Sequence, residues 1–131
     1  MGYRSEVVLA VSDKMMPHFL GHLSQCDDAA YKFVFMETDQ KIEDYDGDGT
    51  TVFSWSDVKW YDSFSEVKAI DVFVSMNTDY LSGICKDIEE FQRGGYNEHF
   101  RFVRVGESYA DADEKGWLCE DVIGIRRTLT F

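Results

Sequence analysis

Apolar and polar residues alternate in several short segments of the chain, and this period of two residues predicts β-strands. The first strand is predicted over residues 3–11, and further strands over residues 31–37, 52–61, 100–105 and 122–131. In the first strand Val7, Leu9 and Val11 share one face with Tyr3, while Val8 and Ala10 make the other face apolar as well. A strand that is apolar on both faces is expected in the middle of a sheet.

Apolar residues three or four positions apart predict helices between these strands. One helix is predicted over residues 14–26 and another over residues 79–93, where a glycine pair ends the pattern. Between them, Ser63 and Glu66 form a capping box, which marks the start of a further helix. The apolar residues after this box also alternate with a period of two, so a strand is the alternative for this segment.

The predicted order β-α-β-β-α-(α)-β-β is typical of an α+β fold. We expect an antiparallel sheet of about five strands with two or three helices packed on one face. This is a split β-α-β arrangement, ferredoxin-like in its order, with an extra C-terminal strand. Acidic loops are predicted over residues 38–50 and 107–121. Because the 131 residues contain no linker and no repeat, residues 1–131 are expected to form a single domain.

The chain is strongly acidic, with 25 Asp and Glu against 13 Lys and Arg and a net charge of −12. A field of this sign repels nucleic-acid phosphates and anionic membranes, so direct binding to either is not expected. The same field attracts a basic protein, including one that itself binds nucleic acid. The alternative is that the excess of acidic residues only keeps the protein soluble.

Cysteine usage and the first apolar run favour a cytoplasmic location. Cys26, Cys85 and Cys119 lie far apart and are odd in number, which fits neither a disulfide framework nor a zinc ribbon. Three reduced thiols in a cytosolic protein are therefore expected. The first apolar run, residues 7–11, is too short for a signal-peptide core or a membrane span.

Several segments of the chain resemble a family of small uncharacterised proteins found mostly in bacteriophages. Residues 2–7, GYRSEV, are similar to the GYRS(E/D)V segment with which that family begins. VKWYD at 58–62 with FSEV at 64–67, and FVRVGE at 102–107 with DADE at 111–114, resemble further segments in the same order. The resemblance implies a phage or prophage origin and a location in the host-cell cytoplasm, and it supplies no catalytic residues. By analogy with small acidic phage proteins, inhibition of a host enzyme or a defence protein is expected.

Asp44, Asp46, Asp48 and Gly49 form the pattern D-x-D-x-D-G, the first half of a calcium-binding loop. Three carboxylates at alternating positions can converge on one hard cation, and the glycine permits the sharp turn. The twelfth position of such a loop carries a bidentate Glu, whereas this chain has Trp55 there. The simpler interpretation is an acidic connection between two strands. No cofactor is therefore predicted, and calcium binding is kept as the alternative hypothesis.

A second metal hypothesis concerns His18, His22 and Cys26, which lie four residues apart on the first predicted helix. Such a row binds zinc when another element supplies a fourth ligand. Cys26 also fits the apolar face of the helix and needs no metal. A buried structural thiol is therefore the simpler interpretation of this residue.

Five arginines fall on the first and the last two predicted strands: Arg4, Arg101, Arg104, Arg126 and Arg127. If these strands are neighbours, the guanidinium groups form an anion pocket that suits a signalling nucleotide. The alternative is cross-strand pairing with Glu6, Asp57 and Glu107. A nucleotide or small-molecule sponge is therefore the second functional hypothesis.

Two clusters of acidic and aromatic residues are the leading candidates for partner binding. They comprise Asp44, Tyr45, Asp46 and Asp48 in the first cluster, and Tyr109, Asp111, Asp113, Glu114 and Trp117 in the second. An exposed Trp beside carboxylates suits a hot spot for a basic partner. The alternative is a solvated loop with Trp117 folded back on the core.

The sequence contains no GxSxG, Walker or GxGxxG pattern, and no catalytic residue is predicted. The leading hypothesis is a small acidic phage-type protein that inhibits a host or anti-phage defence protein by occupying a basic surface, such as a nucleic-acid-binding face. A calcium-stabilised structural module is the third hypothesis.

Overall fold

The computed structural model describes residues 4–61, 63–75, 83, 88–92, 95–106, 112–119 and 123. Five strands form one sheet: β1 (Arg4–Val11), β2 (Gln40–Ile42), β3 (Thr51–Lys59), β4 (Phe100–Val105) and β5 (Ala112–Gly116). Three helices within the described residues accompany it: α1 (Met16–Ser24), α2 (Asp28–Phe35) and α3 (Ser65–Ser75). Glu89–Phe91 and Gly95–His99 form short 3-10 turns. No helix among these residues is long and apolar enough to cross a membrane.

The strand order across the sheet is β2-β3-β1-β4-β5, and every neighbouring pair is antiparallel. Because β3 is antiparallel to both β1 and β2, those two strands run parallel with β3 inserted between them. This is the split β-α-β arrangement, extended by one C-terminal strand beside β4. The predicted α+β fold is confirmed.

The main core lies between one face of the sheet and the three helices. Large aromatic side chains fill it, including Phe19, Phe53, Trp55, Phe73, Phe100 and Phe102, each at most 1% exposed. The polar ends of buried aromatics find partners, since the Trp55 indole N–H donates to the Phe33 carbonyl at 3.0 Å and the Tyr96 hydroxyl donates to the Phe73 carbonyl at 2.8 Å. The core is therefore packed without orphaned polar groups in the described residues.

A smaller apolar cluster lies on the opposite face of the sheet. Ala10, Val52 and Val103 meet Ile123 there, and Leu118 and Cys119 pack against them. The segment that follows β5 thus covers part of the second face. Strand β1 is buried on both sides, since Leu9 and Ala10 are both fully buried, and its predicted central place in the sheet is confirmed.

The strand predicted over residues 31–37 is wrong, because these residues belong mainly to helix α2. Asp27 has an extended backbone (ψ 171°) and its carboxylate accepts a hydrogen bond from the Ala30 N–H at 3.2 Å. This N-cap starts a helix that buries Ala30, Phe33 and Val34 at helical spacing. The cap outweighs the short aromatic alternation that favoured a strand.

The two predicted acidic loops each contain an edge strand of the sheet. Strand β2 lies within residues 38–50, and β5 lies within residues 107–121. Edge strands tolerate charged residues because one side remains open to solvent or to polar partners. The prediction of continuous loops was wrong at these positions.

Two other predictions fall partly outside the described residues. Of the helix predicted over residues 79–93, only Gly83 and residues 88–92 are described, and Glu89–Phe91 is a 3-10 turn. The strand predicted over residues 122–131 lies outside the described residues apart from Ile123. The helix predicted after Ser63 is present as α3, so the alternative of a strand there is wrong.

Candidate functional site

The acidic loop, residues 43–50, connects the edge strand β2 to β3 and is held by its own carboxylates. Asp44 adopts a left-handed backbone (φ 53°), and its Oδ1 accepts the Gly49 N–H at 2.8 Å. Asp46 Oδ1 accepts the N–H groups of Asp48 at 2.9 Å and Thr50 at 3.3 Å. Its Oδ2 accepts the Thr50 hydroxyl at 2.6 Å. Side chains that bond to nearby backbone N–H groups make such a loop stiff.

The carboxylates of the acidic loop are of two kinds: some accept hydrogen bonds within the loop, and others are exposed and accept none from it in the described contacts. The Thr50 hydroxyl, together with the backbone N–H groups of Asp48 and Thr50, lowers the pKa of Asp46. Both oxygens of Asp46 are thus engaged in shaping the loop. The side chain of Asp48 accepts no hydrogen bond in the described contacts and is exposed, as is Tyr45 beside it at 38%. Asp48 and Tyr45 are therefore exposed to solvent on the acidic loop.

The Trp117 turn, residues 116–119, leaves the end of β5 at a point that requires glycine. Gly116 has φ 81°, and a Cβ at this position would lie 2.1 Å from the carbonyl oxygen of Phe100. The Trp117 N–H then donates to the Asn97 carbonyl at 2.7 Å, and the Leu118 N–H donates to the Phe100 carbonyl at 3.2 Å. The backbone of the turn is fixed, while the Trp117 side chain is 52% exposed. Trp117 is not folded back on the core.

The acidic loop and the Trp117 turn meet at one end of the sheet. The Cys119 thiol approaches Asp46 Oδ2 at 3.8 Å, although 73 residues separate the two in sequence. The structure thus brings Asp44, Tyr45, Asp46 and Asp48 to the same end of the molecule as Trp117. We name this set of five residues the acidic-aromatic end.

Sequence reasoning missed two residues at this end, Asp13 and Cys119. A Cβ placed on Gly49 would lie 3.0 Å from the Cβ of Asp13, so the exposed Asp13 lies against the acidic loop. The pairing of Val11 with Thr51 explains this proximity, because the residues that follow β1 and precede β3 must then be neighbours. A correct prediction that β1 pairs with β3 would have placed Asp13 beside the acidic loop.

The second predicted acidic cluster does not join the acidic-aromatic end as a unit. Asp113 and Glu114 lie on β5 and pair with arginines of β4. Tyr109 and Asp111 lie outside the described residues. Of the described residues of this cluster, Trp117 is the one that lies in the turn whose Cys119 contacts the acidic loop.

The predicted anion pocket is not formed by Arg101 and Arg104. They are three positions apart on β4, so their side chains leave opposite faces of the sheet. Arg104 Nε and Nη2 both lie 2.8 Å from Asp113 Oδ2, and Arg101 Nη2 lies 2.7 Å from Glu114 Oε1. Cross-strand pairing, the alternative prediction, is present, and the partners in the described contacts are Asp113 and Glu114. The side chain of Arg4 and all of Arg126 and Arg127 lie outside what the structure describes.

The described residues contain no group of three or more His, Cys, Asp or Glu arranged to hold a metal ion. The calcium hypothesis for Asp44, Asp46 and Asp48 therefore gains no support from the geometry. The zinc hypothesis gains none either. The His22 ring is buried, and its Nε2 donates to the Ala69 carbonyl at 2.7 Å.

The environments of His22, on α1, and of Cys26, two residues beyond its end, also argue against nucleophilic chemistry by this thiol. Burial lowers the pKa of His22 and so disfavours the charged form of the ring. Burial, with a further contribution from the neighbouring Asp27 charge, raises the pKa of the Cys26 thiol. A thiol with a raised pKa is a poor nucleophile at neutral pH. Cys26 and Cys119 form no disulfide among the described residues, and Cys85 lies outside them.

The fold and the site together define an acidic α+β protein in which an acidic loop and an exposed Trp lie at the same end of the sheet. No protein family model matches the chain, and neither a curated protein nor a solved structure is significantly similar to it.

Proposed function

We propose that this protein is a small phage-type binding protein that inhibits a host or anti-phage defence protein by occupying a basic surface of it, such as a nucleic-acid-binding face. The observation that carries the proposal is the acidic-aromatic end, where an exposed Trp lies on a rigid turn beside a rigid acidic loop. The phage origin rests on the resemblance of the opening segment GYRSEV to a bacteriophage family.

Electrostatics support a basic partner. The net charge of −12 creates an attractive field for a cationic protein and accelerates encounter with it. Asp13 and Asp48 add exposed carboxylates at the point of contact. Since these charges are solvated, they contribute mainly to the association rate and to specificity, and their effect weakens with salt.

The exposed aromatic residues supply the affinity that solvated charges do not. Trp and Tyr are enriched among the residues that dominate binding energy, and truncating one such residue typically costs about 2 kcal/mol or more. Trp117 is 52% exposed and Tyr45 is 38% exposed. Because hydrogen bonds already fix both backbones, little backbone conformational entropy remains to be lost on binding.

The test is affinity capture from host lysate with three immobilised proteins. The wild type is compared with Trp117→Ser, which removes the proposed anchor, and with Tyr31→Ser. Tyr31 is the matched control, since it is an exposed aromatic residue (51%) on α2, away from the acidic-aromatic end. Captured proteins are identified by mass spectrometry, and their binding is then measured by calorimetry.

The proposal predicts a basic protein that is retained by the wild type and by Tyr31→Ser and is lost with Trp117→Ser. Retention by all three proteins would place the contact elsewhere and contradict the proposed surface. Failure of the wild type to retain any specific protein at low salt would contradict the proposed function itself.

A further inference from the structure

A buried arginine fastens the segment that carries Trp117 to the sheet. Arg101 is only 8% exposed, and its guanidinium lies on the second face of the sheet. Its Nε donates to the Ile123 carbonyl at 2.9 Å, and its Nη1 donates to the Gly116 carbonyl at 2.9 Å. One side chain therefore joins the residue directly before Trp117 to a residue six positions after it.

Further contacts complete this arrangement. Glu114 pairs with the third nitrogen of the guanidinium at 2.7 Å, and the Ile123 N–H donates to the Cys119 carbonyl at 2.8 Å. The Ile123 side chain is 8% exposed within the small apolar cluster of the second face. The backbone on both sides of Trp117 is thus attached to the sheet through the same buried cation.

We propose that Arg101 is a positioning residue for the partner-binding surface, and that it acts by holding the Trp117 turn in the orientation that presents the indole beside the acidic loop. The planar fork of arginine is required, because a lysine ammonium cannot reach two backbone carbonyls and a carboxylate in this geometry at once. The importance of this orientation for binding rests on the proposed function. The positioning itself does not depend on a partner.

The test compares Arg101→Lys with Arg104→Lys. Arg104 is the matched control, because it lies on the same strand, is 9% exposed and pairs with Asp113 of β5. Its described bonds reach Asp113 and Ser5, on the other face of the sheet. Both substitutions shorten a buried, paired arginine, so their effects on global stability should be similar. Only the Arg101 substitution should disturb the Trp117 turn.

The measurements are amide hydrogen exchange and the indole N–H resonance of Trp117, both by NMR on the free protein. We expect exchange of the Leu118 and Ile123 amides to accelerate about tenfold or more in Arg101→Lys, relative to Arg104→Lys, as the segment opens locally. The Trp117 indole resonance should shift in Arg101→Lys, while the resonances of the buried Trp55 and Trp60 stay in place.

Equal exchange rates in the two variants, or an unchanged Trp117 resonance in Arg101→Lys, would overturn the proposal. If Arg101→Lys does not fold, Glu114→Gln replaces it. Glu114 is exposed, and this substitution weakens the ion pair with Arg101 while the bonds of Arg101 to the two backbone carbonyls are kept. The same changes at smaller amplitude are then expected, and their absence would overturn the proposal. If these changes occur but lysate capture yields no partner, the positioning role stands and the proposed function fails.

Discussion

Replacing Asp46 with Asn should separate the carboxylate that shapes the acidic loop from the exposed carboxylates that are proposed to contact a partner. Asp46 accepts hydrogen bonds from the Asp48 N–H, the Thr50 N–H and the Thr50 hydroxyl. An asparagine keeps one acceptor oxygen and loses the charge. Its amide nitrogen cannot accept the bond that the Thr50 hydroxyl now donates at 2.6 Å.

The expected loss of stability in Asp46→Asn is about 1 kcal/mol at neutral pH. A hydrogen bond to a charged group contributes about 1.5 to 3 kcal/mol when well shielded, and this value must be reduced because Asp46 is exposed and solvent screens its charge. Asp48→Asn is the control, since it makes the same charge change two residues away. Asp48 accepts no hydrogen bond among the described contacts, so its substitution should change stability by less than about 0.3 kcal/mol.

The lowered pKa of Asp46 determines the direction in which its contribution to stability changes with pH. The folded-state pKa of Asp46 is lowered, so its contribution is fully present above the unfolded pKa of about 3.9. It is lost as pH falls through the lowered folded value. Urea unfolding of the wild type and both variants, followed by circular dichroism at pH about 7 and about 3, measures the difference. An equal effect of the two substitutions at neutral pH, or a deficit of Asp46→Asn that persists unchanged at the acidic pH, would refute the reasoning.

Three further predictions concern a glycine, a histidine and calcium. Gly116→Ala should lower the free energy of unfolding in urea by more than about 3 kcal/mol, because the new Cβ meets a carbonyl oxygen of β4. In Gly47→Ala, at the same φ, the new Cβ meets nothing within 4 Å, so the loss should be about 1 kcal/mol. Similar losses in the two variants would contradict this prediction. The free energy of unfolding should fall as pH drops below about 6.5, because burial lowers the pKa of His22 and the unfolded state binds a proton at this residue more readily. His22→Gln should therefore reduce the fall. An unchanged fall in this variant would exclude His22 as the cause. Calcium or a chelator should leave the melting temperature unchanged, since both oxygens of Asp46 are already engaged in the acidic loop; a calcium-dependent rise would restore the calcium hypothesis.

The elements that the sequence predicts well are those with several mutually consistent signals. Strands β1, β3 and β4 are long enough for the alternation to stand out, and α3 begins within residues 63–66, whose sequence predicts a capping box. Helix α2 was missed because residues 31–35 satisfy both periods over a short span. The decision there depends on Asp27, whose carboxylate caps α2 although it lies only three residues after the end of α1.

The edge strands could not be predicted from their own residues. Strand β2 has only three residues, and β5 is the charged segment ADEKG. What makes β5 a strand is its pairing with β4, whose buried arginines neutralise Asp113 and Glu114. This information lies in another segment of the chain, so no local pattern contains it.

Most residues of the candidate site could be predicted from the sequence, but their proximity in the folded protein could not. The acidic loop and Trp117 were both identified from sequence, whereas their meeting depends on strand order and on the Cys119–Asp46 contact. The separate roles of Asp46 and Asp48 depend on hydrogen bonds that only the folded loop forms. The arginines were predicted either to bind anions or to pair across strands, and burial with carboxylate partners favours pairing.

The most direct test of the central claim, that the acidic surface makes the contact, is the dissociation constant of the captured partner measured by calorimetry. The wild type is compared with Asp44→Asn/Asp48→Asn, in which asparagine preserves the left-handed backbone at Asp44 and the oxygen that accepts the Gly49 N–H. The account predicts affinity about tenfold weaker for the double variant at about 50 mM salt, with the difference shrinking at about 300 mM as the charges are screened. Equal affinity of the two proteins at the lower salt concentration would contradict it.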